Sequence, residues 1–110
     1  MADDGQLGSF EEQVLLGVLR TGREAYGMAV RREIERVTER EVAIGAVYAT
    51  LDRLEAKGLV ASQRTPGGAS RRVFAVTPVG ARALAETRAL RERLWRGVDL
   101  AALAPGIARG

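Results

Sequence analysis

The stretch Ala43–Val60, AIGAVYATLDRLEAKGLV, decides the fold because it reads as a helix that passes directly into a strand. Ile44, Val47, Leu51 and Leu54 fall within a sector of about 80° at about 100° per residue, so one side of this helix is apolar. Gly45, Ala46, Ala49, Thr50, Arg53 and Lys57 face elsewhere. Gly58 is a natural helix stop, and Leu59 to Arg64 begin an extended segment without a linker.

Towards the N-terminus, SFEEQVLLGVLR predicts a first helix, with Ser9 as its cap and Glu12 reaching back as a capping box. Phe10, Val14, Leu15, Val18 and Leu19 give it a band broad enough for the centre of a small core. TGRE breaks the pattern. AYGMAVRREIERV then predicts a second helix, with Tyr26, Val30, Ile34 and Val37 on one face and Arg31, Arg32, Glu35 and Arg36 nearer solvent. Towards the C-terminus, the turn at Pro66–Gly68 separates the first strand from RRVFAVT, which alternates as a second strand with Arg72, Phe74 and Val76 on one side. Thr77 and Pro78 suit the N-cap and first position of a fourth helix running to about Gly97, and the tail from residue 98 is expected to be partly frayed.

Composition removes whole classes of function. The 110 residues include no Cys and no His, which excludes disulfides, thiol nucleophiles, imidazole bases and Cys/His metal sites. No Gly-rich phosphate loop occurs, Glu33 and Glu35 do not share a helix face, and Asp52 with Glu55 reads as a solvated edge plus a structural carboxylate. The chain is therefore expected not to be an enzyme and to need neither metal nor cofactor. No apolar run approaches the length of a membrane span, and MADDGQLGSF lacks the pattern of a signal peptide, so a cytoplasmic protein without membrane contact is expected. The formal net charge is +3, unevenly spread: residues 1–43 hold six Arg against nine acids, whereas residues 44–82 hold five Arg and Lys57 against two.

Three helices followed by strand, turn and strand is the order of a winged helix-turn-helix. The chain is expected to be mainly α with a small β-hairpin, and to divide into a flexible N-terminus (1–8), a winged helix-turn-helix (9–77), a dimerisation helix (78–97) and a tail (98–110). Tyr26-Gly27, then Gly45, Tyr48, Leu51, Leu54, Glu55, Gly58 and Leu59, and finally Phe74, Thr77 and Gly80 keep a spacing that resembles the PadR family of transcriptional regulators, in its short subgroup with a single C-terminal helix. The resemblance runs from Phe10 to about Trp95. Two positions depart from the family pattern: Ala43-Ile44 replaces the usual Ser or Thr before helix 3, weakening its cap by about 1 kcal/mol, and Phe74 stands where Tyr is common.

A DNA-reading surface needs small side chains where the backbone approaches a groove, flanked by cations for phosphates or guanine edges. On helix 3, Ala46, Ala49 and Thr50 meet the first need, and Arg53 and Lys57 the second. In the wing, Arg64, Arg71 and Arg72 flank Gly67 and Gly68, which let a hairpin tip approach double-stranded DNA. Tyr26 and Tyr48 lie at the margin of apolar faces, where core packing and a phosphate hydrogen bond are both open. Cations on an edge strand also guard it against aggregation.

Helix 4 carries Val79, Ala83, Leu90 and Leu94 in one stripe, with Leu84 and Trp95 well round the cylinder. A single small domain does not easily cover both, and the resemblance implies a homodimer joined here; the alternative is that both pack on helix 1. Trp95 is also a stacking surface for a small aromatic effector, as the resemblance implies, although interface packing is the commoner use of such a residue. The expected function is a dimeric, sequence-specific DNA-binding regulator, a repressor, relieved by such an effector. The alternative is a winged helix that serves protein interaction and binds no DNA.

Overall fold

The computed structural model describes residues 6–66 and 71–107, so the predicted wing-tip glycines Gly67 and Gly68 lie outside the described residues. In chain order come α1 (Ser9–Thr21), a 3-10 turn (Gly22–Glu24), α2 (Gly27–Thr38), α3 (Ile44–Ala56), β1 (Val60–Arg64), β2 (Arg72–Val76), α4 (Pro78–Trp95) and a second 3-10 turn (Leu100–Ala102). The expected mainly helical chain with one hairpin is what forms.

The first helix starts one residue earlier than Ser9 and Glu12 suggest. Gly8 is the cap, and Glu11 accepts a hydrogen bond from the Gly8 amide at 2.9 Å. Glu12 turns instead towards α4, where its carboxylate lies 2.7 Å from the Arg91 guanidinium. Gly22, at φ +82°, ends α1 in a backbone conformation that side-chain-bearing residues avoid. Val37, predicted on the apolar face of α2, is about half exposed because the core ends at Ile34.

The helix-turn-helix turn is fastened by α2. Arg31 Nε donates to the Val42 carbonyl at 2.7 Å, and Glu35 accepts from the Val42 amide at 2.8 Å, so both backbone groups of Val42 are satisfied by one helix. Ala43 then caps α3 with no side-chain bond, as its missing hydroxyl predicts.

Val14, Leu15, Val30, Val47, Leu51, Leu54, Val60 and Phe74 form the fully buried centre. The apolar face predicted for α3 is the one that packs: Ile44 is partly covered, and Val47, Leu51 and Leu54 are buried. Phe74 shows why the missing hydroxyl of a Tyr is tolerated here, since its ring is enclosed at 1% exposure. The hairpin is antiparallel, with Ser62 opposite Phe74 and Arg64 opposite Arg72. A third backbone segment joins it through a bridge between Tyr26 and Val73 and a 3.0 Å bond from the Phe74 amide to the Ala25 carbonyl. The wing is thereby fixed to the start of α2.

Thr77 caps α4, accepting from the Gly80 amide at 3.0 Å while its hydroxyl donates to the Gly58 carbonyl at 2.7 Å. Ala83, from the predicted stripe, is buried in the domain core, and Leu84 packs against that core while partly covered. Beyond Leu90 every residue of α4 is exposed, and Leu94 and Trp95 are 69% and 57% accessible. Near the start of the tail, Asp99 accepts from the Ala101 amide at 3.0 Å and caps the second 3-10 turn. Among the described residues no helix is long and apolar enough to cross a membrane.

Candidate nucleic-acid interface

The outward face of α3 presents Gly45, Ala46, Ala49 and Asp52 to solvent, with Tyr48 on its flank. Thr50 does not share that face. It is 3% exposed, which corrects the expectation that it approaches bases. The reason is angular: Thr50 sits only about 40° from Leu54 on the helix wheel, so the packing that buries Leu54 reaches it. Its hydroxyl accepts from Arg53 Nη2 at 3.3 Å and so serves as an anchor for Arg53.

Arg53 and Lys57, one turn apart, converge on a single carboxylate of α1. Arg53 Nε lies 3.4 Å and Lys57 Nζ 3.0 Å from Glu11 Oε2. Burial pushes the Glu11 carboxyl up, but the Gly8 amide, Lys57 and Arg53 outweigh it and hold it below its ordinary value. Glu11 is 8% exposed, so this anion is part of the interior edge.

Arg72 is the clamp between wing and helix. Its guanidinium donates to Asp52 at 3.0 Å and to Glu55 at 2.8 Å, and it stands 4.8 Å over the Phe74 ring. Glu55 in turn accepts from the Ser62 hydroxyl at 2.9 Å and the Ser62 amide at 3.2 Å. The hydrogen bond to Asp52, then that to Glu55, raises the Arg72 pKa above its ordinary value, and a guanidinium is charged at any working pH. Instead of reaching outward as its place beside the predicted wing tip suggests, Arg72 is spent largely on fixing the wing.

The other wing cations take a different place. Arg71 lies 5.0 Å over the Tyr26 ring. Tyr26, Met28, Arg32, Tyr48, Arg64, Arg71 and Arg72 surround one open cleft of about 530 Å³ between the start of α2, the flank of α3 and the hairpin. Arg32 and Met28 were missed in the sequence. The only available signal was the Arg31-Arg32 pair: Arg31 turns to Val42, and its neighbour turns to the wing. Both tyrosines prove to be rim residues, half-covered, with Tyr48 37% exposed.

Three helices on a wing, with small residues on the free face of the third and arginines lining the gap beside it, define a winged helix-turn-helix regulator. A family model, the transcriptional regulator PadR-like family, matches residues 15–86. The chain is 45% identical over 76 residues to the transcriptional regulator Rv3488 of Mycobacterium tuberculosis, covering 68% of this chain and 70% of that one. Its fold is similar to RosR of H. salinarum, at a TM-score of 0.69 and 27% identity over 90% of this chain and 84% of that one. It is also similar to BpsR of Bordetella bronchiseptica, whose DNA binding is regulated by 6-hydroxynicotinic acid, at 0.68 and 20% identity over 89% and 72%. The chain belongs to the PadR-like family of transcriptional regulators, and it is a DNA-binding regulator with no enzymatic role.

Proposed function

We propose that the chain acts in the cytoplasm as a homodimeric, sequence-specific repressor that seats α3 in a DNA major groove. The observation that carries this reading is the arginine-lined cleft beside the free face of α3. Ala46 and Ala49 offer no bulk against base edges or thymine methyls, and Arg53 stands at their side for a guanine or a phosphate. Arg32, Arg64 and Arg71, with the hydroxyls of Tyr26 and Tyr48, suit the phosphates flanking that groove. Lys57 adds backbone charge from the end of the helix. A protein of this size needs no activating surface to block polymerase at a promoter, which favours repression.

Dimerisation is supported by the run of apolar side chains left open where α4 ends. Leu94, Trp95, Val98 and Leu103 are exposed in succession, and a second copy covers such a strip. Leu90 and Val79 extend it along the helix. A two-fold axis there would set two α3 helices to successive major grooves of a roughly palindromic site. Trp95, exposed at the same place, offers a face on which a small aromatic effector can stack.

Selection of bound duplexes from a random pool tests the reading, followed by titration over a salt series with Arg53→Ala and Arg71→Ala. A base-reading Arg53 changes sequence preference, whereas loss of Arg71 lowers affinity for all duplexes and reduces the salt slope by about one contact. Recovery of no enriched sequence would contradict sequence-specific binding.

A further inference from the structure

Helix α1 plays no part in the DNA reading above, yet its Glu11 holds two of the cations that reading uses. A surface arginine or lysine free in solvent adds to affinity for any duplex, because each phosphate it neutralises releases a counterion. One already bonded to a carboxylate adds less. Glu11 Oε2 engages Lys57 at 3.0 Å and Arg53 at 3.4 Å, and the Gly8 amide fixes the other oxygen, Oε1, at 2.9 Å. With Thr50 bonded to Arg53 Nη2, the arginine is restrained at two of its nitrogens while its side chain remains half exposed.

We propose that Glu11 is a specificity-determining residue of the DNA interface: it cancels cationic charge at the end of α3 and holds Arg53 in one orientation, suppressing binding to duplexes that lack the preferred sequence. This rests on the reading of α3 as the groove-binding helix. In non-specific encounters Glu11 keeps Lys57 and Arg53 from roaming to phosphates. At a preferred site, the pre-set Arg53 meets its base without the ordering cost of a free long side chain. Glu11 touches no DNA itself and acts through the two cations.

Glu11→Gln keeps a carbonyl oxygen for the Gly8 amide and removes the charge. For a duplex of unrelated sequence, the slope of log affinity against log salt should steepen by about 0.9 per subunit, and affinity at 0.1 M salt should rise on the order of tenfold. Affinity for a selected duplex should rise less, so the ratio between the two falls. A steepened slope with that falling ratio supports the proposal; an unchanged slope, or a parallel loss on both duplexes, overturns it. Adding Lys57→Gln to Glu11→Gln provides a second test. The double variant carries the wild-type net charge at the end of α3, so its salt slope on the unrelated duplex should return to the wild-type value; a slope that stays steep counts against the proposal. A wild-type chain that binds neither duplex at low salt would sink the groove-binding reading itself, whereas normal wild-type binding with an indifferent Glu11→Gln sinks only the role of Glu11.

Discussion

Tyr48 lies so close over Gly27 that a β-carbon on the glycine would stand 2.6 Å from the phenolic oxygen, well inside contact distance. The first residue of α2 is therefore glycine for reasons of space. Gly27→Ala should drive the Tyr48 ring out of its seat on the cleft wall and lower stability by about 1–2 kcal/mol. In a Tyr48→Ala background the same change should cost almost nothing. Denaturant unfolding of the four variants checks this: additive losses would mean that the ring and the glycine are not coupled.

Arg72 joins β2 to α3 through Glu55 and Asp52, and its loss should be felt first as stability. The bond to Glu55 matters most, since Asp52 is 60% exposed and a solvent-exposed pair contributes little. Arg72→Ala should cost about 2 kcal/mol, mostly from leaving Glu55 without its charged donor. Arg64→Ala, at a cation that takes no such bond among the described residues, should leave the unfolding midpoint nearly unchanged.

Acid should unfasten α1 from α2. Arg36 first, and then Arg20, hold the Glu33 carboxyl at about 2, down from an ordinary 4.5. A folded-state pKa below the unfolded one gives stability that is fully present above about pH 4.5 and is lost as pH falls towards 2. Glu33→Gln should flatten that part of the stability curve, and carboxyl NMR of the folded chain should show Glu33 titrating well below 4.5. A Glu33 midpoint near 4.5 would remove the pair from the account.

Gly80 backs onto the Leu59 carbonyl, and a β-carbon there would collide with that backbone and lie 2.9 Å from Val76 Cγ1. Backbone cannot rotate aside as a tyrosine can. Gly80→Ala should thus cost about 2–3 kcal/mol, more than the roughly 1 kcal/mol expected for removing the neighbouring cap with Thr77→Ala. Thermal unfolding of both variants orders the two effects; the reverse order would show that α4 shifts freely against the hairpin.

What the sequence made legible was local. The α3–β1 junction follows from apolar spacing ended by Gly58, and the start of α4 from Thr77-Pro78, because each signal lies within a few residues of its effect. The contacts that give the interface its character span much more chain. Glu11 meets Lys57 across 46 positions, and Arg72 meets Asp52 across 20. Any of the 16 arginines is long enough to reach several acids, so sequence alone does not choose among them. Thr50 differs from its expected place for a related reason: it lies about 40° outside the apolar sector of α3, and tertiary packing, not helix spacing, decides how far burial reaches past that edge. The Gly8 cap won over Ser9 because Glu11, placed to serve Gly8, also faces the cations of α3.

The most direct test of the account is sedimentation velocity of the chain mixed with a duplex recovered by selection. Two chains should sediment on one duplex, in a complex weakened by salt, and replacing Leu94 by Asp and Trp95 by Ser should leave single chains. A lone chain at micromolar concentration that leaves the duplex sedimenting unchanged would contradict it.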